Sequence, residues 1–173
     1  DQDIRNINDK GVINYLNEIE NAELSDAFWD FGLPQKLDTP NSTAPALSTF
    51  FAAQIVKGDK GLFSPNSSVR DLFGVSDVHH IFPKDYLKKT EFLDNRSIYN
   101  QVANYTYLDT PINIAVGNKA PNIYFKEAFE SALKDGIVYG NHMSVDELKS
   151  NLIENCIPLD LSLIHISEPT RRS

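Results

Sequence analysis

The sequence predicts an α+β chain, mostly helical, around a small core of two strands and a short helix. Three observations predict it. Apolar residues recur at helical spacing in several segments. Two short runs, Val75 to Ile81 and Tyr105 to Leu108, carry residues that suit a pleated surface. Directly after the second run, "TPINIAVG" has the start and stop signals of a short helix. With 173 residues, 41% of them hydrophobic and 10% aromatic, the chain has material for one core of ordinary size.

From Asn8 to Glu23, Val12, Leu16 and Ile19 stand at helical spacing among Asn and Glu, which predicts an amphipathic surface helix. "LPQKLDTPNSTAP" has three prolines and reads as a linker. A second helix begins near Pro45, because proline suits a first turn, and Leu47, Phe50, Phe51 and Ile55 share a face before Gly58. "GDKGLFSPNSSVRDLFGVSD" reads as a loop with an apolar return at Leu72 and Phe73. After the strand near Val75 to Ile81, "FPKDYLKKTEFLDNRSIYNQVAN" is too long for a tight hairpin and reads as an excursion with a helical turn. Thr110 and Pro111 are the expected N-cap and first position of the short helix that Gly117 stops. Pro121 starts another, with Phe125, Ala128, Phe129, Ala132 and Leu133 as its stripe. Ser144 with Glu147 is a capping-box signature for a last helix, Val145 to Asn155, and His142 before it reads as a turn residue.

The net charge of −8 argues against a nucleic-acid partner at first sight, but its distribution is uneven. Residues 1–30 carry a net −6 and residues 127–160 a net −5, whereas residues 31–76 and 77–126 each carry +1. The middle of the chain tolerates a phosphate backbone. Cys156 is the only cysteine, which rules out an intrachain disulfide and a cysteine-built zinc site and fits a reducing, cytoplasmic setting. No apolar run approaches the roughly 20 residues a bilayer crossing requires, so no membrane partner is expected. The last residues, "LSLIHISEPTRRS", resemble the frame translation of a sequencing adapter, so residues 161–173, with His165, are read as a non-native tail.

The chemistry concentrates in "SDVHHIFP". Two of the four histidines, His79 and His80, stand at the end of the first strand; Asn104 enters the second, and Asn113 lies in the first turns of the short helix. A strand pair crossed by a helix brings the first strand's end and the helix's start over one spot, where an imidazole and an amide oxygen can share a divalent ion. Alternation places Asp77 on the same strand face as His79, to orient that ring or bind a metal water; an ordinary strand-edge acid is the other reading.

The blocks "HHIFP", "ANYTYL" and "PINIAVGNKAP", with nine positions from Asn104 to Asn113, resemble the HNH, or His-Me finger (ββα-metal), nucleases. More narrowly, residues 25–160 resemble the C-terminal nuclease domain of GmrSD-type modification-dependent restriction endonucleases, including "PALSTFFAAQIVKGDKGLFS" and "GNKAPNIYF". The resemblance implies a mostly helical domain around a ββα-metal core. His80 would be the general base, His79 and Asn113 the metal ligands, and Asn104 a brace of the catalytic loop. Mg²⁺ is the expected cofactor with Mn²⁺ as the alternative, although an imidazole also admits Ni²⁺ or Zn²⁺. Lys119 and Lys84 are candidates for DNA-backbone contacts, against a solvated lysine face as the other reading. Tyr105 and Tyr107 read as packing residues.

The function implied is DNA endonuclease, the cleaving part of a bacterial or phage-defence restriction protein. Residues 1–45 would be a helical connector from a missing N-terminal, nucleotide-dependent domain, and residues 46–160 a C-terminally truncated nuclease domain. Two departures from the family are visible: the cysteine pairs that brace some members are absent, and there is no Gly-rich phosphate loop. A catalytically silent DNA-positioning or docking module is the alternative from another class, and a helical scaffold with an incidental zinc site ranks last.

Overall fold

The computed structural model describes residues 1–37, 43–90 and 95–162. The chain divides into two compact units, Asp1–Thr39 and Pro40–Ser173. The class is α+β, with two small antiparallel sheets among many helices. Among the described residues no helix is long and apolar enough to cross a membrane.

The first unit contains α1 (Gln2–Lys10), α2 (Val12–Glu23), a π-helical turn (Phe28–Gly32) and α3 (Leu33–Leu37). The one helix expected from Asn8 to Glu23 is therefore two, divided at Gly11, whose φ of 79° suits a residue without a Cβ. The expected stripe of Val12, Leu16 and Ile19 is exposed; the buried residue of α2 is Tyr15, whose hydroxyl donates to Asp3. The segment read as a linker starts with α3, and its residues 38–42 lie outside the described residues.

The second unit opens with α4 (Pro45–Lys57), started by proline and closed by Gly58 in the left-handed region. The next stretch, expected as loop, is a hairpin of β1 (Lys60–Gly61) and β2 (Ser64–Ser68) running into α5 (Val69–Leu72). "SPNSS" has little β propensity, and tertiary partners supply what local sequence lacks. Asn151 donates to Gly61 O at 2.9 Å and accepts from Phe63 N at 2.8 Å, while Asn155 donates to Lys60 O at 3.0 Å. Those bonds, with the Phe63 ring stacked on Tyr139, hold Phe63 at φ 57° in the turn.

The second sheet pairs β3 (Asp77–His80) with β4 (Tyr105–Leu108), His79 opposite Thr106 and His80 opposite Tyr105. Between the strands lie α6 (Lys84–Thr90), α7 (Arg96–Tyr99) and a 3-10 turn (Val102–Asn104). The excursion is thus more helical than one turn. Residues 91–94 within it lie outside the described residues. α8 (Thr110–Val116) follows β4 at once, with Asp109 rather than Thr110 at the N-cap position, and Gly117 ends it.

The unit ends with α9 (Pro121–Leu133), α10 (Val145–Glu154) under its expected Ser144–Glu147 capping box, and a 3-10 turn (Leu159–Ser162). α9 buries Tyr124, Phe125 and Ala128, and Leu133, assigned to the stripe, is exposed. The core gathers Leu62, Phe63, Leu108, Ile112, Val116, Tyr124, Phe125 and Leu152 among others. Its edge and tilted aromatic contacts, such as Tyr124 on Phe125 at 4.3 Å, add about 1 kcal/mol each beyond the area they bury. Leu161, assigned to the non-native tail, packs into this core at the edge of the described chain; residues 163–173 of that tail, with His165, lie outside the described residues.

Candidate functional site

The alternation of β3 sends His79 inward and leaves His80 half-buried at the strand's end. α8 packs against β3. Its first turns carry Asn113 towards His79, and the two side chains meet at 2.7 Å between Nδ1 and Oδ1. Both line an open cavity of about 210 Å³, together with His80, Lys84, Asp85 and Asn118. The strand end, the start of α6, the middle of α8 and the residues just after it therefore converge on one space.

A row of three side chains sets the local polarity. The Asn113 amide nitrogen donates to Asp77 Oδ2 at 3.2 Å, which turns the amide oxygen towards His79. With that oxygen accepting, His79 Nδ1 carries the proton. His79 is 5% exposed and its Nε2 is buried without a partner. Burial pushes its pKa down to about 4, against the opposing hydrogen bond to Asn113, so the ring is neutral at pH 7.

His80 faces a different set of groups. Its Nε2 meets Asn100 Oδ1 at 3.1 Å, and its ring lies tilted on Tyr105 with centroids 4.9 Å apart. With the Asn100 oxygen accepting, the proton sits on Nε2 and the lone pair on Nδ1. Burial lowers the pKa of His80, the Asn100 bond opposes this, and Lys84 lowers it further. Lys84 itself, like Lys88, holds its ammonium 5.5 Å from the centre of the Tyr99 ring.

Asn104 is outside the cavity and works on the backbone. Its side chain accepts from Phe82 N at 2.7 Å and donates to Phe82 O at 3.1 Å and Tyr99 O at 2.9 Å, while its carbonyl accepts from Ile81 N. The residues just after the histidine pair are thereby tied to the end of the excursion. Tyr124 adds a bond from its hydroxyl to Ile81 O at 2.7 Å.

Lys119, the other candidate for a DNA-backbone contact, sits in a polar cluster after α8. Its ammonium donates to Glu127 Oε2 at 2.8 Å and to the Tyr139 hydroxyl at 2.9 Å, because α9 presents Glu127 to the segment that precedes it. Three residues of the site were not singled out from sequence: Asn100, Asp85 and Asn118. Asn100 stands four residues before Asn104, and Asp85 two after Pro83, but only the closed fold brings them beside the histidines.

The donor set suits a divalent cation. Adjacent corners of an octahedral shell with bonds of about 2.1 Å lie about 3 Å apart; His79 Nδ1 and Asn113 Oδ1 stand 2.7 Å apart as hydrogen-bond partners, so a cation there would replace the shared proton and move it to the unpartnered Nε2. Among the described residues no three His, Cys, Asp or Glu side chains gather as a metal cluster, so any cation here would rest on an imidazole, an amide oxygen and water. Comparison of the chain with protein-family models, with curated proteins and with solved structures finds no match.

Proposed function

We propose that this chain is a metal-dependent DNA endonuclease domain with a His-Me finger (ββα-metal) core, hydrolysing phosphodiester bonds as the cleaving part of a bacterial or phage-defence restriction protein in the cytoplasm. The observation that carries this reading is the meeting of His79 Nδ1 and Asn113 Oδ1 at 2.7 Å on the wall of a cavity that His80 also lines. In this reading β3, β4 and α8 are the ββα core, and an N-terminal nucleotide-dependent domain would belong to the full-length protein.

His79 and Asn113 would hold Mg²⁺, or Mn²⁺ in its place, through two neutral donors that leave room for water and phosphate oxygens. When bound, the cation would neutralise charge growing on the phosphate and on the departing 3′ oxygen. Asp77 keeps the Asn113 oxygen aimed, and burial keeps the His79 ring neutral, so that Nδ1 could ligate once its proton shifts to Nε2. His80 is held neutral with its lone pair on Nδ1, which equips it to take a proton from the attacking water. Lys84 offers a cation to the phosphate from the same wall. Asn104 acts indirectly, by fixing the backbone that follows His80.

Plasmid nicking with Mg²⁺ or Mn²⁺, compared with EDTA, tests the reading. His80→Ala should lower nicking by about 100-fold or more while Mn²⁺ still binds. Full activity in that variant removes His80 as the base. A wild-type chain that never cleaves with any metal is the silent docking module instead.

A further inference from the structure

We propose that Asp85 is the carboxylate that holds the divalent cation at the His79–Asn113 pair, acting through the cation's water shell. The inference rests on the endonuclease reading and extends it to a residue that no motif had marked.

The argument starts from charge. An imidazole and an amide oxygen bring no negative charge, whereas hard cations such as Mg²⁺ are normally held with one or two carboxylates. Two carboxylates are near. Asp77 is committed to the Asn113 amide and serves to aim it. Asp85 lines the cavity itself, half-buried, from the first turn of α6.

Its hydrogen bonding leaves it free for that work. Asn118 Nδ2, just beyond Gly117 on the facing wall, donates to Asp85 Oδ2 at 3.2 Å, and Oδ1 has no protein partner among the described residues. That single bond fixes the carboxylate's direction and leaves acceptor capacity for bound water. Water-mediated action also agrees with the absence of a direct three-carboxylate or histidine cluster among the described residues. A carboxylate on the wall of a phosphate-binding space would otherwise repel its substrate, and a cation between the two reverses the sign of that interaction. Lys84, one residue earlier, meets the phosphate from the same turn.

The test is Mn²⁺ binding followed by electron paramagnetic resonance on the full chain, with plasmid nicking measured in parallel. Asp85→Asn keeps shape and removes charge, and should raise the Mn²⁺ dissociation constant by about 10- to 100-fold. Asp85→Glu should recover most of the affinity, and Asn118→Ala, which frees the carboxylate's direction but keeps its charge, should weaken binding clearly less than Asp85→Asn does. Circular dichroism checks that each variant is folded. If wild type binds Mn²⁺ and nicks, and Asp85→Asn binds equally well, Asp85 has no such role while the nuclease reading stands. If Asn118→Ala weakens binding as much as Asp85→Asn, position rather than charge is responsible and the inference is overturned. If wild type neither binds Mn²⁺ nor nicks, both fall together.

Discussion

At His79, burial and hydrogen bonding pull in opposite directions, and burial wins. Its pKa of about 4 in the folded chain lies below the ordinary 6.5, so between those values the unfolded chain binds a proton that the native ring refuses. The stability this contributes is fully present above about pH 6.5 and drains away as pH falls towards about 4, a loss of up to about 3 kcal/mol. His80, also depressed by burial, acts with the same sign. Denaturant unfolding in EDTA at pH 7.0 and about pH 4.5 should therefore show a larger drop in midpoint for the wild type than for His79→Gln. An equal drop in both would mean that the buried ring is not held neutral. The unpartnered Nε2 belongs to the same picture, since a lone pair closed off from water is a cost the native state bears.

At the level of elements, the site depends on α8 being held over β3, and Gly140 is one of the residues that hold it. It lies between α9 and α10 at φ 56°, and a Cβ there would stand 2.4 Å from Phe63 O and 2.6 Å from Ile112 Cδ1. Ile112 precedes Asn113, so the contact reaches the site's own helix. Gly140→Ala should destabilise the protein by about 2 kcal/mol or more, from left-handed strain and the clash with backbone. A thermal melt reads this directly; an unchanged midpoint would mean the loop can move aside. α10 has a comparable role at the other sheet, where Asn151 and Asn155 cap the β1 edge and Thr106 donates to Asn155 Oδ1 at 2.7 Å. Thr106 is the strand partner of His79, so this polar network ends directly beneath the site.

For the molecule as a whole, charge and organisation are linked. The first unit contains the acidic residues 1–30, with a net −6, and every residue proposed to touch metal or DNA lies in the second unit. A chain beginning at Pro40 should unfold cooperatively, keep the Mn²⁺ affinity of the full chain, and bind DNA more tightly at low salt. The gain should disappear at high ionic strength, where the Debye length shrinks to about 3 Å. Fluorescence anisotropy with a labelled duplex across a salt series checks this. A shortened chain that loses Mn²⁺ binding would show that the first unit supports the site.

Much of the architecture is legible in local sequence because it is local physics. Proline starts α4 and α9, Gly58 and Gly117 end helices, Ser144 and Glu147 cap α10, and β4 coincides with its run of Tyr, Thr and Leu. The β1–β2 hairpin was not legible, because its strands are made by asparagines about 90 residues away. The site divides in the same way. His79, His80, Asn104 and Asn113 were marked by residue type, spacing and the family resemblance, and of these the fold puts His79 and Asn113 in direct contact. Asn100 orienting His80, Asp85 on the cavity wall and Lys119 paired with Glu127 were decided only by the closed fold. The reason is physical: backbone periodicity governs which way neighbouring side chains point, whereas which distant groups meet depends on how the helices pack.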